Sequence, residues 1–167
     1  MAVVNLVGSR IMDGLDNVPV DLGDPGEGGG GVKTWVETVE VGAADTTAST
    51  YLMARLPSNA RILGASKLYW DDLTTTGSPT MDIGVYNQSG NSDFTDDPDA
   101  MSNAHDVTSA GSASAISDIA NYGLPLWDFI DSQTTDPKKD LDIKVKLTDA
   151  AVAGGGTMTL ELFYSVD

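Results

Sequence analysis

The sequence predicts an all-β chain, an antiparallel β-sandwich, on three observations. Segments from residue 32 onward alternate apolar and polar residues with period 2, the pattern of strands with one buried face. Turn chemistry separates them, as at Pro57-Ser58-Asn59, Thr76-Gly77-Ser78-Pro79, Asn87-Gln88-Ser89-Gly90-Asn91 and Gly154-Gly155-Gly156. Helical periodicity is nearly absent. A jelly roll is the first topology expected and an immunoglobulin-like Greek key the second; pattern alone does not separate them well.

The elements follow in order. Residues 1–31 read as an N-terminal arm and glycine-rich linker, and residues 32–167 as the sandwich domain. The tract Asp24-Pro25-Gly26-Glu27-Gly28-Gly29-Gly30-Gly31 costs too much entropy to order alone. Ahead of it stand Val3, Val4, Leu6, Ile11 and Met12, apolar residues without sustained periodicity. A disordered leader is the competing reading; the first is an arm that orders against another subunit, because a purely disordered leader has no need of these residues, and they are its candidate partner-binding residues.

Residues 32–41 are β-branched and contain Trp35. Thr50–Pro57 places Leu52, Ala54 and Leu56 on one face. Residues 61–73 read as one long strand, with Ile62, Leu68 and Trp70 opposite Leu63, Ala65 and Tyr69. Residues 80–87 alternate Met81, Ile83 and Val85 with Asp82, Gly84 and Tyr86. Residues 141–147 and 157–166 alternate just as cleanly. These last two are expected to form a hairpin around 149–156, setting Lys144 and Lys146 across from Glu161. The polar stretch 91–112 reads as a long surface excursion. A helical turn or two is expected in 113–121, stopped by Gly123.

Composition narrows function. The chain has 167 residues and no cysteine, so disulfides and thiolate metal sites are excluded. No apolar run approaches the roughly 18 residues of a membrane helix. The start lacks a signal-peptide pattern, and a soluble protein made in the cytoplasm is expected. Acids outnumber bases 25 to 9, for a net charge of −16. Phosphate backbones and anionic membranes repel such a surface, so neither nucleic acid nor membrane is an expected partner.

Candidate chemistry is sparse. Gly26–Gly31 formally matches GxGxxG, but it precedes a strand where a dinucleotide site needs a strand before it and a helix after it. His105-Asp106 holds the only histidine, and sequence neighbours on an extended chain point apart. It reads as a surface-loop histidine, and no GxSxG elbow accompanies it. Asp71-Asp72 are adjacent, whereas a glycosidase needs carboxyls facing across a sugar. The densest acid cluster is Asp93, Asp96, Asp97 and Asp99. Hard oxygen ligands suit Ca²⁺, but the spacing is not that of an EF-hand and Pro98 interrupts it. A solvated loop is the first reading and a weak cation site the second. The aromatics, Trp35 and Tyr69 apart, read as core. No cofactor and no enzyme activity are expected.

Several motifs resemble a known family. They are Ala54-Arg55-Leu56-Pro57-Ser58-Asn59-Ala60-Arg61-Ile62, Lys67-Leu68-Tyr69-Trp70-Asp71-Asp72-Leu73 and Gly77-Ser78-Pro79-Thr80-Met81-Asp82-Ile83-Gly84-Val85-Tyr86. Asp118-Ile119-Ala120-Asn121-Tyr122-Gly123 and the closing Gly156-Thr157-Met158-Thr159-Leu160-Glu161-Leu162-Phe163-Tyr164 belong with them. Together, over residues 34–166, they resemble small virion proteins of tailed bacteriophages. The resemblance implies a capsid decoration, or cement, protein made in the host cytoplasm. It would sit on the capsid exterior as a homotrimer bound to the major capsid protein lattice and stabilise seams between capsomers. A fibre-tip or carbohydrate-binding sandwich module is the alternative.

Overall fold

The computed structural model describes residues 5–7, 31–73, 77–88 and 90–166. The strands are β1 (Asn5–Val7), β2 (Lys33–Val41), β3 (Thr50–Pro57), β4 (Ala60–Ile62), β5 (Lys67–Trp70), β6 (Thr80–Tyr86), β7 (Asp97–Asp106), β8 (Gly111–Ser114), β9 (Asp140–Thr148) and β10 (Gly156–Val166). They form two sheets, ordered β1-β3-β9-β6-β7 and β2-β10-β5-β8, with β4 also paired to β10.

The topology is a jelly roll, the first of the two expected. Its logic lies in nested antiparallel pairs. The chain doubles back at β6–β7, and then β5 pairs with β8, β3 with β9 and β2 with β10. Successive pairs fall in alternate sheets, so the long double ribbon rolls up. Contacts of β9 with β6 and of β10 with β5 then close the two sheets. Rolling buries both inner faces against each other, which the alternating strands require. The core includes Tyr51, Met53, Leu56, Ile62, Leu68, Met81, Ile83, Met101, Ile143, Leu160 and Leu162.

Several expectations are corrected. β9 and β10 are not a hairpin, because they lie in different sheets. The segment between them crosses the end of the sandwich, where Val152 N donates to Asp45 O (3.1 Å) and Gly154 N to Leu73 O (3.2 Å). Lys144 and Lys146 therefore do not face Glu161. Lys146 opposes Thr50 and Asp82, and Glu161 opposes Lys67 and Val36.

The run 61–73 is interrupted rather than continuous. Both pieces, β4 and β5, lie along the same side of β10. At the break the buried Ser66 hydroxyl stands in for a backbone group. It accepts from Phe163 N (2.9 Å) and donates to Phe163 O (3.2 Å).

The supposed excursion 91–112 contains all of β7 and the start of β8. Two register shifts against β6 break the alternation of β7, so period 2 never shows in its sequence. Ala104, at φ +56°, sits within this irregular stretch. Residues 113–121 hold the end of β8 and one short 3-10 turn, Ile119–Asn121, not a longer helix. Ala115 and Ile116 are buried, but Ile119 points to solvent. Gly123, at φ +79°, does follow the turn. The turn covers the open edge of β7, where Ser117 N donates to Met101 O and Asn121 Nδ2 to Ala100 O, both at 2.9 Å.

A bulge in β3 between Leu52 and Ala54 shifts register against β9, so Leu52, opposite Lys144, lies on the outer face and does not share the core face of Ala54 and Leu56 as expected, while Tyr51, opposite Val145, points inward. The Met53 carbonyl there accepts the indole N–H of Trp35 at 2.8 Å, which ties β2 to the opposite sheet.

Candidate functional site

The acid cluster does not converge on one point. Asp93 pairs with Lys139 at 2.7 Å. Asp96 accepts from Asn87 N (2.8 Å) and Asn87 Nδ2 (3.0 Å), while Asn87 Oδ1 accepts from Asp93 N. These two carboxylates hold the β6–β7 loop together. Asp97 and Asp99 point elsewhere, into a shallow cleft shared with Asp118, Asn121 and Asp131. Burial pushes the Asp97 carboxyl above its ordinary range, and its hydrogen bond to Asp99 and the charges of Asp99 and Asp131 add to this. Among the described residues no group of three His, Cys, Asp or Glu side chains is placed to hold a metal ion.

A prediction follows for calcium. Two of the four carboxylates are already engaged by Lys139 and Asn87. At fixed high ionic strength, millimolar Ca²⁺ should shift the melting temperature by less than about 2 °C, the change that roughly 1 kcal/mol of specific binding would produce in a chain of this size. A shift of several degrees, abolished by Asp96→Ala with Asp97→Ala, would establish a metal site instead.

His105 lies in β7, half-buried, and not in a surface loop. Its ring is 6.1 Å from that of Trp70, and its Nε2 is 2.8 Å from Ser102 Oγ. Burial holds its pKa below the usual imidazole value, partly offset by Asp82. Asp82 in turn accepts from Ala104 N at 2.8 Å. Serine, histidine and aspartate thus gather, but Ser102 is only 1% exposed and its hydroxyl is closed to substrate.

Of the arm residues, Val3, Val4, Ile11 and Met12 lie outside the described residues. Leu6 falls in β1, which runs parallel to β3 of its own chain with Asn5, Leu6 and Val7 opposite Thr50, Tyr51 and Leu52. Part of the arm therefore seats on a sheet edge of its own domain.

Two outward sheet faces remain, and they differ in character. On the β3-β9-β6 face, Arg55 grips Asp142, and Lys144 lies 4.8 Å from the centre of the Tyr86 ring. The outward positions of β2-β10-β5-β8 carry mainly hydroxyl and apolar groups. Thr38 and Thr159 share a hydrogen bond of 2.8 Å, and Val36 and Tyr69 are about 40% exposed. Glu161 there lies opposite Lys67 and accepts from the Tyr69 hydroxyl at 3.3 Å. Sequence reasoning did not single out this face, because four strands scattered from residue 33 to 166 build it. Its signal was present in the threonines alternating through 34–38 and 157–159.

A chain of the cyanophage Pam1 capsid asymmetric unit is similar over 91% of this chain and 97% of its own length, with a TM-score of 0.54 and 23% identity. A chain of the capsid of Ralstonia phage GP4 is similar over 99% of both chains, with a TM-score of 0.63 and 18% identity. The fold is shared with chains from two phage capsids. No protein-family model and no curated protein sequence matches the chain.

Proposed function

We propose that this chain is a non-enzymatic structural protein of a bacteriophage virion, a decoration protein on the capsid exterior that stabilises the lattice across capsomer seams. The observation that carries this reading is the whole-chain likeness to similarly sized chains of two phage capsids. Size matters here, since near-complete mutual coverage compares one entire small chain with another. The acidic surface supports an outer position, because a wall facing packaged DNA is better served by bases. The partner is the major capsid protein lattice, and the working form is a homotrimer.

The physical task is mass action. A protein that binds the assembled lattice and not its separated parts stabilises the assembly by RT ln(1 + [L]/Kd). Linking three binding sites in one oligomer strengthens the effect. The arm extends the reach toward a neighbouring subunit. Purified protein should bind capsids stripped of it and raise the temperature at which they release DNA. Deleting residues 1–31 should leave the β-type circular dichroism nearly unchanged, because β1 adds three residues to one sheet edge. The same deletion should weaken capsid binding. Failure of the full chain to bind any capsid, or a few copies per particle where a shell needs hundreds, would refute the reading.

A further inference from the structure

We propose that the acidic cleft beside β7, with Ile119 projecting at its rim, is the surface that docks onto a Lys- and Arg-bearing segment of the capsid lattice protein. The inference names the docking face of the function proposed above and rests on that reading. Asp97, Asp99, Asp118 and Asp131 line the cleft with Asn103, Ser117 and Asn121, and no Lys or Arg is among its described lining residues. A concave wall of one sign focuses its field on an approaching partner. The same charge is felt inside the fold. The Tyr86 hydroxyl, on the strand beside β7, has no hydrogen-bond partner among the described residues, and Tyr86 is only 6% exposed. Burial raises its pKa first, and the charges of Asp96, Asp82, Asp97 and Asp99 raise it further. Lys144 stands over the Tyr86 ring and does not line the cleft. A buried polar group beneath that many carboxylates marks a place that a partner's positive charge would stabilise.

The kind of cation follows from the spacing of the acids. Among the described residues no three of them converge on a metal ion, so the charge that fits is spread along a segment. Guanidinium and ammonium groups suit separated carboxylates. A second copy of this chain, at net charge −16, is repelled by the cleft, and so is nucleic acid. The apolar part of the surface is the 3-10 turn at the rim, where Ile119 is 84% exposed and Tyr122 44%. An exposed isoleucine alone is ordinary, but this one stands on a pinned turn. Asp118 caps the turn by accepting from Ala120 N at 2.8 Å, Asn121 Nδ2 donates to Ala100 O at 2.9 Å, and Arg61 Nη1 donates to Gly123 O. The Tyr122 ring lies against Gly64, where even a β-carbon has no room. Such a turn loses little freedom on binding, so its apolar anchor contributes to affinity with a small ordering cost.

The test measures binding to capsids stripped of this protein, with three variants whose folding is checked by circular dichroism. Asp99→Asn with Asp131→Asn removes two charges from the cleft. Glu40→Gln with Glu161→Gln removes two from the outward face of the other sheet and so matches the change in net charge. Ile119→Ser shortens the anchor at a position open to solvent, where the fold does not depend on it. At low salt the cleft pair should weaken binding roughly 10-fold or more, and the control pair less than about 2-fold. The loss in the cleft pair should shrink as salt rises, whereas Ile119→Ser should weaken binding roughly 10-fold at every salt concentration. Equal losses in the two charge pairs overturn the proposal, because net charge alone then accounts for them. Undiminished binding by both the cleft pair and Ile119→Ser overturns it too, and either result leaves the capsid role standing. An unmodified chain that binds no stripped capsid refutes the capsid role and the proposal with it.

Discussion

Replacing Ile143 by alanine should lower the melting temperature by roughly 10 °C, while Lys146→Ala, three residues along the same strand, should lower it by about 3 °C or less. Ile143 is fully buried in β9, a strand flanked on both sides. Its register partners are Ala54 on β3 and Val85 on β6, both also buried. Truncation removes the transfer energy of the lost carbons and leaves a cavity that two fixed neighbouring strands cannot close. Such changes cost about 2–5 kcal/mol, and each kcal/mol moves the midpoint of a chain this size by roughly 2–4 °C. Lys146 points outward between Thr50 and Asp82, where truncation removes one partly solvated charge. The pair of variants therefore tests register as well as packing. A slip of one residue would move Ile143 to the outer face and bring the outward set inside. Calorimetry showing equal effects for the two would refute the assigned faces.

The clarity of β9 in the sequence comes from the same physics. Leu141, Ile143, Val145 and Leu147 must all face the core, so selection of side chains leaves a strict alternation. The strands β2, β6 and β10 were legible for this reason, whereas the bulge in β3 hid which face Leu52 takes. β7 was not, because its two bulges put Met101 and Ser102 inside together and leave Asn103 and Ala104 outside together. The hairpin error has another source. Adjacent strands with a glycine-rich connection favour a hairpin locally, but the nested pairing of the roll claims β9 for β3 and β10 for β2. Those partners lie about a hundred residues away, beyond any local signal. The acid cluster shows the same limit. Asp93, Asp96, Asp97 and Asp99 are plain in the sequence, but Lys139, which engages Asp93, arrives from beyond β8.

Arg55→Ala should destabilise the fold by about 2–4 kcal/mol, more than the usual worth of a surface ion pair. Arg55 on β3 and Asp142 on β9 are direct register partners. Nε donates to Oδ1 at 2.7 Å and Nη2 to Oδ2 at 3.3 Å, a two-pronged grip on one carboxylate. The two ends are unequally exposed, with the Arg55 side chain 23% open to solvent and that of Asp142 only 3%. Removing the arginine therefore strands a buried carboxylate, and most of the cost is that group's lost compensation. Removing both charges is a different experiment. Arg55→Leu with Asp142→Leu leaves no stranded ion and adds apolar contact beside the Tyr86 ring, which lies opposite Asp142 on β6. Its stability should fall within about 1 kcal/mol of the unmodified chain, since well-packed apolar replacements of buried pairs are often neutral or better. Urea unfolding of the two variants separates the possibilities. If Arg55→Ala costs less than about 1 kcal/mol, the pair behaves as a solvated one and Asp142 is not buried as described. If the double replacement costs as much as Arg55→Ala, the pair contributes through its own attraction and not through the penalty of breaking it.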